Sequence, residues 1–148
     1  MSSSSDQGFS IYHDLIIKAP TSQVFEAISA PYHLNNWWTL RSNGKPILGE
    51  VYNFYFAPEY DWLGEVVSSE PSRAFHVKMV RSDSDWNPTT FGFDLEEIAA
   101  GTQVRFWLTN WPLCNHHFRR SSYCWAILLN GLKNYTEEGI IVPFEDRE

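Results

Sequence analysis

The sequence has few cysteines, few basic residues and no long apolar run, and each shortage excludes a class of protein. Two cysteines, Cys114 and Cys124, cannot build a disulfide framework and are typical of a reducing compartment. Eleven basic residues against 18 acidic ones give a formal net charge of −7, the wrong sign for binding a nucleic acid backbone. No apolar segment approaches the roughly 20 residues that a membrane-spanning helix requires.

The ends of the chain are polar. Residues 1–8 (MSSSSDQG) lack the basic and apolar regions of a secretory signal. We therefore expect a flexible N-terminal tail over residues 1–8 and a cytoplasmic protein. The chain has 148 residues, enough for one domain with a real core, which we place at residues 9–141, followed by a C-terminal tail over 142–148.

Aromatic residues are abundant. Seven Trp, seven Tyr and ten Phe make up 16% of the chain. Because aromatic rings bring large apolar area and stiff shapes, they suit both a packed core and the walls of a ligand site.

The clearest helix is predicted near the end of the chain, over residues 121–139. Its apolar positions follow the i, i+3, i+4, i+7 spacing of one helical face: Trp125, Leu128, Leu129, Leu132 and Tyr135. Ser121 or Ser122 could cap its start, and Gly139 suits a left-handed C-terminal cap.

Most of the preceding chain is predicted to form strands. A first strand at residues 9–18 is followed by two short helices, 21–29 and 31–38. The motif RSNGKP at 41–46 is typical of a turn, and five strands with alternating apolar residues then follow between positions 50 and 110. The pattern indicates an α+β helix-grip fold, in which an antiparallel six-stranded curved sheet wraps around the long C-terminal helix.

These motifs occur in an order that resembles a known superfamily. The matching features are Ala19-Pro20 before Val24-Phe25, Trp37-Trp38, Gly49, Gly64 before Val66 and Pro71, Gly101-Thr102, Trp125, Leu129, Leu132-Lys133 and Glu138-Gly139. The chain resembles the START/birch-pollen-allergen (SRPBCC) superfamily. Within it, the chain is similar to the C-terminal domain of Aha-type activators of the heat-shock-protein-ninety ATPase. Glu50 and Cys124 stand where the family usually has glycine.

The resemblance implies a hydrophobic cavity between the sheet and the final helix. Its expected ligand-binding residues are mostly aromatic side chains of one strand parity, together with Glu50 and Tyr60 as polar groups that orient the ligand. The full set is Trp38, Glu50, Tyr52, Phe54, Phe56, Tyr60, Trp62, Gly64, Phe75, Phe91, Phe93, Phe106, Trp125 and Leu129. A filled core is the alternative, because apolar stripes usually pack against one another. We expect Gly64 to leave space, and one residue of Trp37-Trp38 to cover the cavity.

Two sets of residues suggest chemistry beyond binding, a metal site and an acid–base pair. Cys114, His116, His117 and Cys124 are residue types that bind zinc, but their spacing fits no standard pattern, so we expect no metal and no other cofactor. Glu50 with Tyr52 or Tyr60 could act as an acid and base in an apolar pocket. No nucleophile elbow, phosphate loop or metalloprotease motif is present in the sequence.

We therefore interpret the chain as a binding protein for a small hydrophobic or amphipathic molecule, without catalytic residues. A chaperone-interacting module resembling the ATPase activators is one alternative, and a cyclase or hydrolase of the same fold is another. The oligomeric state is left open.

Overall fold

A computed structural model describes residues 8–147, so residues 1–7 of the expected N-terminal tail and residue 148 lie outside the described part. Seven antiparallel strands form one sheet in the order β1-β7-β6-β5-β4-β3-β2, and a long helix follows the last strand. The elements are β1 (Phe9–Ile17), α1 (Thr21–Ser29), α2 (Pro31–Leu34), β2 (Arg41–Asn43), β3 (Val51–Ala57), β4 (Tyr60–Glu70), β5 (Ala74–Arg81), β6 (Thr90–Ile98), β7 (Gly101–Trp111), α3 (His116–Glu138) and a 3₁₀ turn (Phe144–Asp146). The predicted α+β helix-grip fold is confirmed.

Alternation along the strands decides which face of the sheet is buried. In β7, Val104, Phe106 and Leu108 point inward, whereas Arg105 between them is exposed. Phe106 lies opposite Phe93 of β6, and this pairing brings inward side chains into register. The concave face that results is covered by the helices.

The long helix covers that face with the predicted stripe. Trp125, Leu129 and Leu132 are buried, and Gly139 ends the helix with a left-handed φ of 72°. The predicted start at Ser121 was wrong, because Asn115 caps the helix instead: its side chain accepts a hydrogen bond from the Phe118 N–H at 2.9 Å. None of the helices in the described part of the chain is long and apolar enough to cross a membrane.

Two local predictions before β3 were also wrong. Residues Arg41–Asn43, predicted as a turn, pair with β3 and form β2, so the sheet has seven strands and not the predicted six. The Arg41 guanidinium lies 4.1 Å from the centre of the Tyr55 ring on β3. The second short helix ends at Leu34 rather than at Trp38. Pairing with β3 overrides the local pattern at Arg41–Asn43. After Leu34 the chain continues only as hydrogen-bonded turns, in which the Trp37 and Trp38 N–H groups both donate to the Leu34 carbonyl.

The centre of the sheet is filled by rings. Tyr52, Phe54, Phe75, Phe91 and Phe93 are all fully buried. The Tyr52 and Phe54 rings stack at 5.5 Å, and the Tyr52 hydroxyl donates to the carbonyl of Ser29 at 2.5 Å; burial raises the pKa of this phenol. This part of the interior is therefore a packed core.

Gly64 lies within this core. A Cβ atom at Gly64 would be 2.5 Å from Cγ1 of Val77, and 3.2 Å from the Phe54 ring. The expectation that Gly64 leaves space for a ligand was wrong, because neighbouring side chains already occupy that space.

Two Gly→Ala substitutions test this packing. Gly64→Ala should lower the free energy of unfolding by about 1–3 kcal/mol, since the added methyl group displaces Val77. Gly131→Ala in α3 meets nothing within 4 Å and should raise it by about 0.5–1 kcal/mol. Denaturant melts of both variants measure the difference. A harmless Gly64→Ala would show that the space beside Val77 is open.

Candidate functional site

An open cleft lies at one end of the domain. Its volume is about 740 Å³, within the range of small-molecule sites. It is bounded by the tip of the β3–β4 hairpin, the first half of α3 and the C-terminal segment around Phe144. These three parts of the chain meet here and leave an open space between them.

Aromatic side chains supply most of the apolar wall. They are Trp38, Phe56, Tyr60, Trp62, Trp86, Trp125 and Phe144. The rings of Trp62 and Trp86 are 5.0 Å apart, and Trp125 lies 6.3 Å from Trp86 and 5.1 Å from Trp38. Because each ring is held by the next, this wall is preformed.

One face of α3 forms the opposite wall. His117, Ser121, Cys124, Trp125 and Leu128 all line the cleft. Their spacing of i, i+4, i+7, i+8 and i+11 is that of one helical face. The start of α3 before Ser121, which was not predicted as helix, thus contributes His117 and Arg120 to the cleft, whose other charged lining residues are Asp83, Glu145 and Arg147.

His117 is a polar group of the α3 wall whose position is well defined. Its Nδ1 lies 2.9 Å from Oδ2 of Asp85, and its ring meets the buried ring of Trp111 edge-on at 4.9 Å. Asp85 does not itself line the cleft, and its side chain is less exposed than that of His117 (23% against 43%). Asp85 therefore stands behind His117.

The C-terminal segment forms the third edge. Arg147 is buried and donates to three backbone carbonyls: Nε to Val142 at 2.9 Å, Nη1 to Thr39 at 3.1 Å and Nη2 to Asn35 at 3.0 Å. Burial lowers the pKa of this guanidinium. These bonds hold residues 142–147, assigned from the sequence to a tail, against the loop that follows α2.

A smaller depression of about 330 Å³ adjoins the cleft at Trp62 and Asp83. Its remaining lining residues are mostly polar: Pro58, Glu59, Asp61, Arg81 and Ser82. Arg81 and Asp61 approach each other there to 3.7 Å. This depression offers little apolar surface, so the larger cleft is the better candidate for an apolar ligand.

The family model described as "Activator of Hsp90 ATPase homolog 1-like protein" matches residues 18–137. The chain belongs to this family. The match spans α1, the sheet from β2 to β7 and nearly all of α3, so the family assignment covers every wall of the cleft except the C-terminal segment. The predicted superfamily is confirmed.

Solved structures of the same fold extend the comparison. The Aha1 dimer from Colwellia psychrerythraea, solved in solution, is 26% identical, with a TM-score of 0.81 over 88% of this chain and 98% of that one. SSP2350 from Staphylococcus saprophyticus is 18% identical (TM-score 0.77; 91% and 96% covered). CalU16 from Micromonospora echinospora is 19% identical (TM-score 0.66; 93% and 81% covered). The search of curated proteins finds no match.

The structure brings together five of the fourteen residues predicted to bind a ligand. Trp38, Phe56, Tyr60, Trp62 and Trp125 line the cleft. The other apolar members lie in the core and not in the cleft: Tyr52, Phe54, Gly64, Phe75, Phe91, Phe93, Phe106 and Leu129. Both residues of the Trp37-Trp38 pair are buried, and only Trp38 also reaches the cleft.

Glu50 is not part of the cleft. It is exposed just before β3, whereas the cleft begins at Phe56 near the other end of that strand. Six residues of strand separate the two positions by about 20 Å. Glu50 and Tyr60 therefore do not orient one ligand together. Tyr52, the other possible partner of Glu50, is fully buried and donates its hydroxyl to the Ser29 carbonyl, so neither predicted acid–base pair lies in the cleft.

The residues considered for a metal site are also dispersed. His117 pairs with Asp85, and Cys114 is exposed. Among residues 8–147, no group of three or more His, Cys, Asp and Glu side chains could hold a metal ion.

Several cleft residues were missed in the sequence. Trp86 lines the cleft and Asp85 lies behind it, in a loop between two predicted strands, although a tryptophan in a polar loop is itself a signal of burial. His117 was missed because the helix was predicted to start too late. No sequence signal places Arg147 beside Asn35, since 112 positions separate them.

The C-terminal segment provides a test of how the third edge is held. Arg147→Gln should lower the free energy of unfolding by about 1–3 kcal/mol, because buried carbonyls lose their donors. It should also speed hydrogen exchange over residues 140–147. Arg105→Gln, at an exposed position on β7, is the matched control and should leave both quantities nearly unchanged. Equal effects of the two variants would show that the Arg147 bonds do not hold the segment.

Proposed function

We propose that this protein binds a small, largely apolar and planar molecule in the cleft at the end of the helix-grip domain. The observation that carries the proposal is the preformed wall of Trp38, Trp62, Trp86 and Trp125 around an open volume of about 740 Å³. Planar apolar molecules fit such walls, because indole rings offer both faces and edges to an aromatic ligand.

The expected affinity follows from the area that the cleft can cover. Burial of about 250 Å² of apolar ligand surface corresponds to roughly 6 kcal/mol. Part of this is offset by the loss of ligand freedom, and a preformed wall keeps that loss small. A dissociation constant in the micromolar range is therefore reasonable for a two-ring ligand.

The family assignment supports a binding role. Members of this fold bind hydrophobic ligands or act as cyclases. The cleft differs from the cavity expected under α3 in one respect: it lies at the end of the sheet, because the central rings already fill the space below the helix. A ligand would enter from the side between α3 and the β3–β4 hairpin.

An uncharged fluorescent probe tests the proposal. N-phenyl-1-naphthylamine should bind the native protein close to one-to-one, raise its melting temperature and show a negative heat-capacity change. Leu128→Trp should weaken binding about tenfold or more, because the added ring fills the cleft.

Ile127→Trp is the matched control. Ile127 is the chain neighbour of Leu128 and is also half-buried, but it does not line the cleft. Binding by this variant should stay close to that of the native protein. Absence of probe uptake by the native protein, or equal losses in both variants, would contradict a ligand site in this cleft.

A second candidate function has its own observation. Ile47, Leu48 and Val51 are 55%, 69% and 50% exposed, and Val67 on the neighbouring strand is 41% exposed. Exposed apolar side chains in one region are typical of protein contact surfaces. Binding to a chaperone, as the family description suggests, would use this surface. It lies at the opposite end of β3 from the cleft, so the two functions do not exclude each other.

A further inference from the structure

The Asp85–His117 pair places a directional polar group beside the aromatic wall of the cleft. Asp85 is held by its loop, in which the Trp86 N–H donates to Oδ1 of Asp83 at 2.8 Å and the Asn87 N–H to the Asp83 carbonyl at 2.9 Å. His117 is held on one side by Asp85 and on another by the Trp111 ring. A histidine fixed on two sides presents its remaining ring edge in one orientation.

The partner of His117 decides which hydrogen bond that edge can make. An ionised carboxylate only accepts, so the proton of the neutral imidazole lies on Nδ1, 2.9 Å from Asp85. The lone pair is then on Nε2. Since His117 lines the cleft and Asp85 does not, the group that this pair offers to a bound molecule is an acceptor.

We infer that the cleft selects planar aromatic molecules that carry a hydroxyl group, whose O–H donates to Nε2 of His117. This inference rests on the proposed function, because it concerns the ligand of the same cleft. The indole wall would bind the rings, and the Asp85–His117 pair would bind the hydroxyl. A polar group held in a fixed orientation discriminates between ligands, because it is left unpaired when the wrong ligand binds.

Two probes of the same ring system separate these contributions. 2-Naphthol can donate a hydrogen bond, whereas 2-methoxynaphthalene cannot. At pH 8, titration calorimetry should show 2-naphthol binding roughly fivefold or more tightly than 2-methoxynaphthalene. His117→Phe, which keeps a planar ring without nitrogen, should abolish this preference and leave 2-methoxynaphthalene binding nearly unchanged.

Two further variants make the test specific. His116→Phe, at the exposed neighbouring position, should keep the preference of the native protein. Asp85→Asn should reverse the tautomer, because the amide can donate to Nδ1 and so leave the proton on Nε2. The preference for 2-naphthol should then be lost, although the histidine is still present.

The outcomes distinguish the inference about the hydroxyl group from the proposed binding function. Equal binding of both probes to the native protein, or a preference that survives His117→Phe, would overturn the inference and leave the apolar cleft in place. No binding of either probe would overturn both the inference and the proposed function. Loss of preference in His117→Phe and Asp85→Asn, but not in His116→Phe, is the expected result.

Discussion

The packing of Trp125 against the curved sheet is the contact on which the rest of the structure depends. Its ring lies 4.4 Å from Phe106, 6.2 Å from Phe91 and 5.1 Å from Trp38. A single buried side chain thereby joins α3, the sheet and the segment after α2. A tryptophan buries more apolar area at one position than any other side chain can.

Trp125 also separates two kinds of interior. On one side, buried rings such as Phe91 and Phe93 fill the space between the sheet and α3. On the other side, Trp62 and Trp86 contact each other and leave an open cleft next to them. A continuous void beneath the helix would cost packing energy without a ligand, whereas a cleft at the edge exchanges with water. The arrangement gives the domain a stable core and an open cleft at the same time.

The fold could be predicted because its determinants are local and periodic. The structure has both predicted features, the strand alternation and the buried helical stripe of Trp125, Leu129 and Leu132. The cleft could be predicted only in part. Strand parity makes Phe54 and Phe56 equally suitable as ligand-binding residues. Phe54 belongs to the core and Phe56 lines the cleft because Phe56 lies farther from the centre of the sheet, and strand parity does not encode that distance.

Contacts between remote segments explain what the sequence did not reveal. The Asn115 cap lengthens α3 and so brings His117 to Asp85. Arg147, a charged residue that composition places at the surface, is buried because its donors find carbonyls more than 100 positions away. Such pairs depend on the assembled fold, and no spacing in the chain encodes them.

The central claim is that the ligand binds in the cleft against its indole wall, and not in the core or on the outer face of the sheet. Fluorine NMR of protein labelled with 5-fluorotryptophan tests this most directly, because all seven tryptophans report separately once Trp→Phe variants assign them. During titration with N-phenyl-1-naphthylamine, the signals of Trp38, Trp62, Trp86 and Trp125 should shift. The signals of Trp37, in the core, and of Trp107, beside His76 on the outer face, should not. Shifts at Trp37 or Trp107, with none at Trp62 and Trp86, would contradict the account.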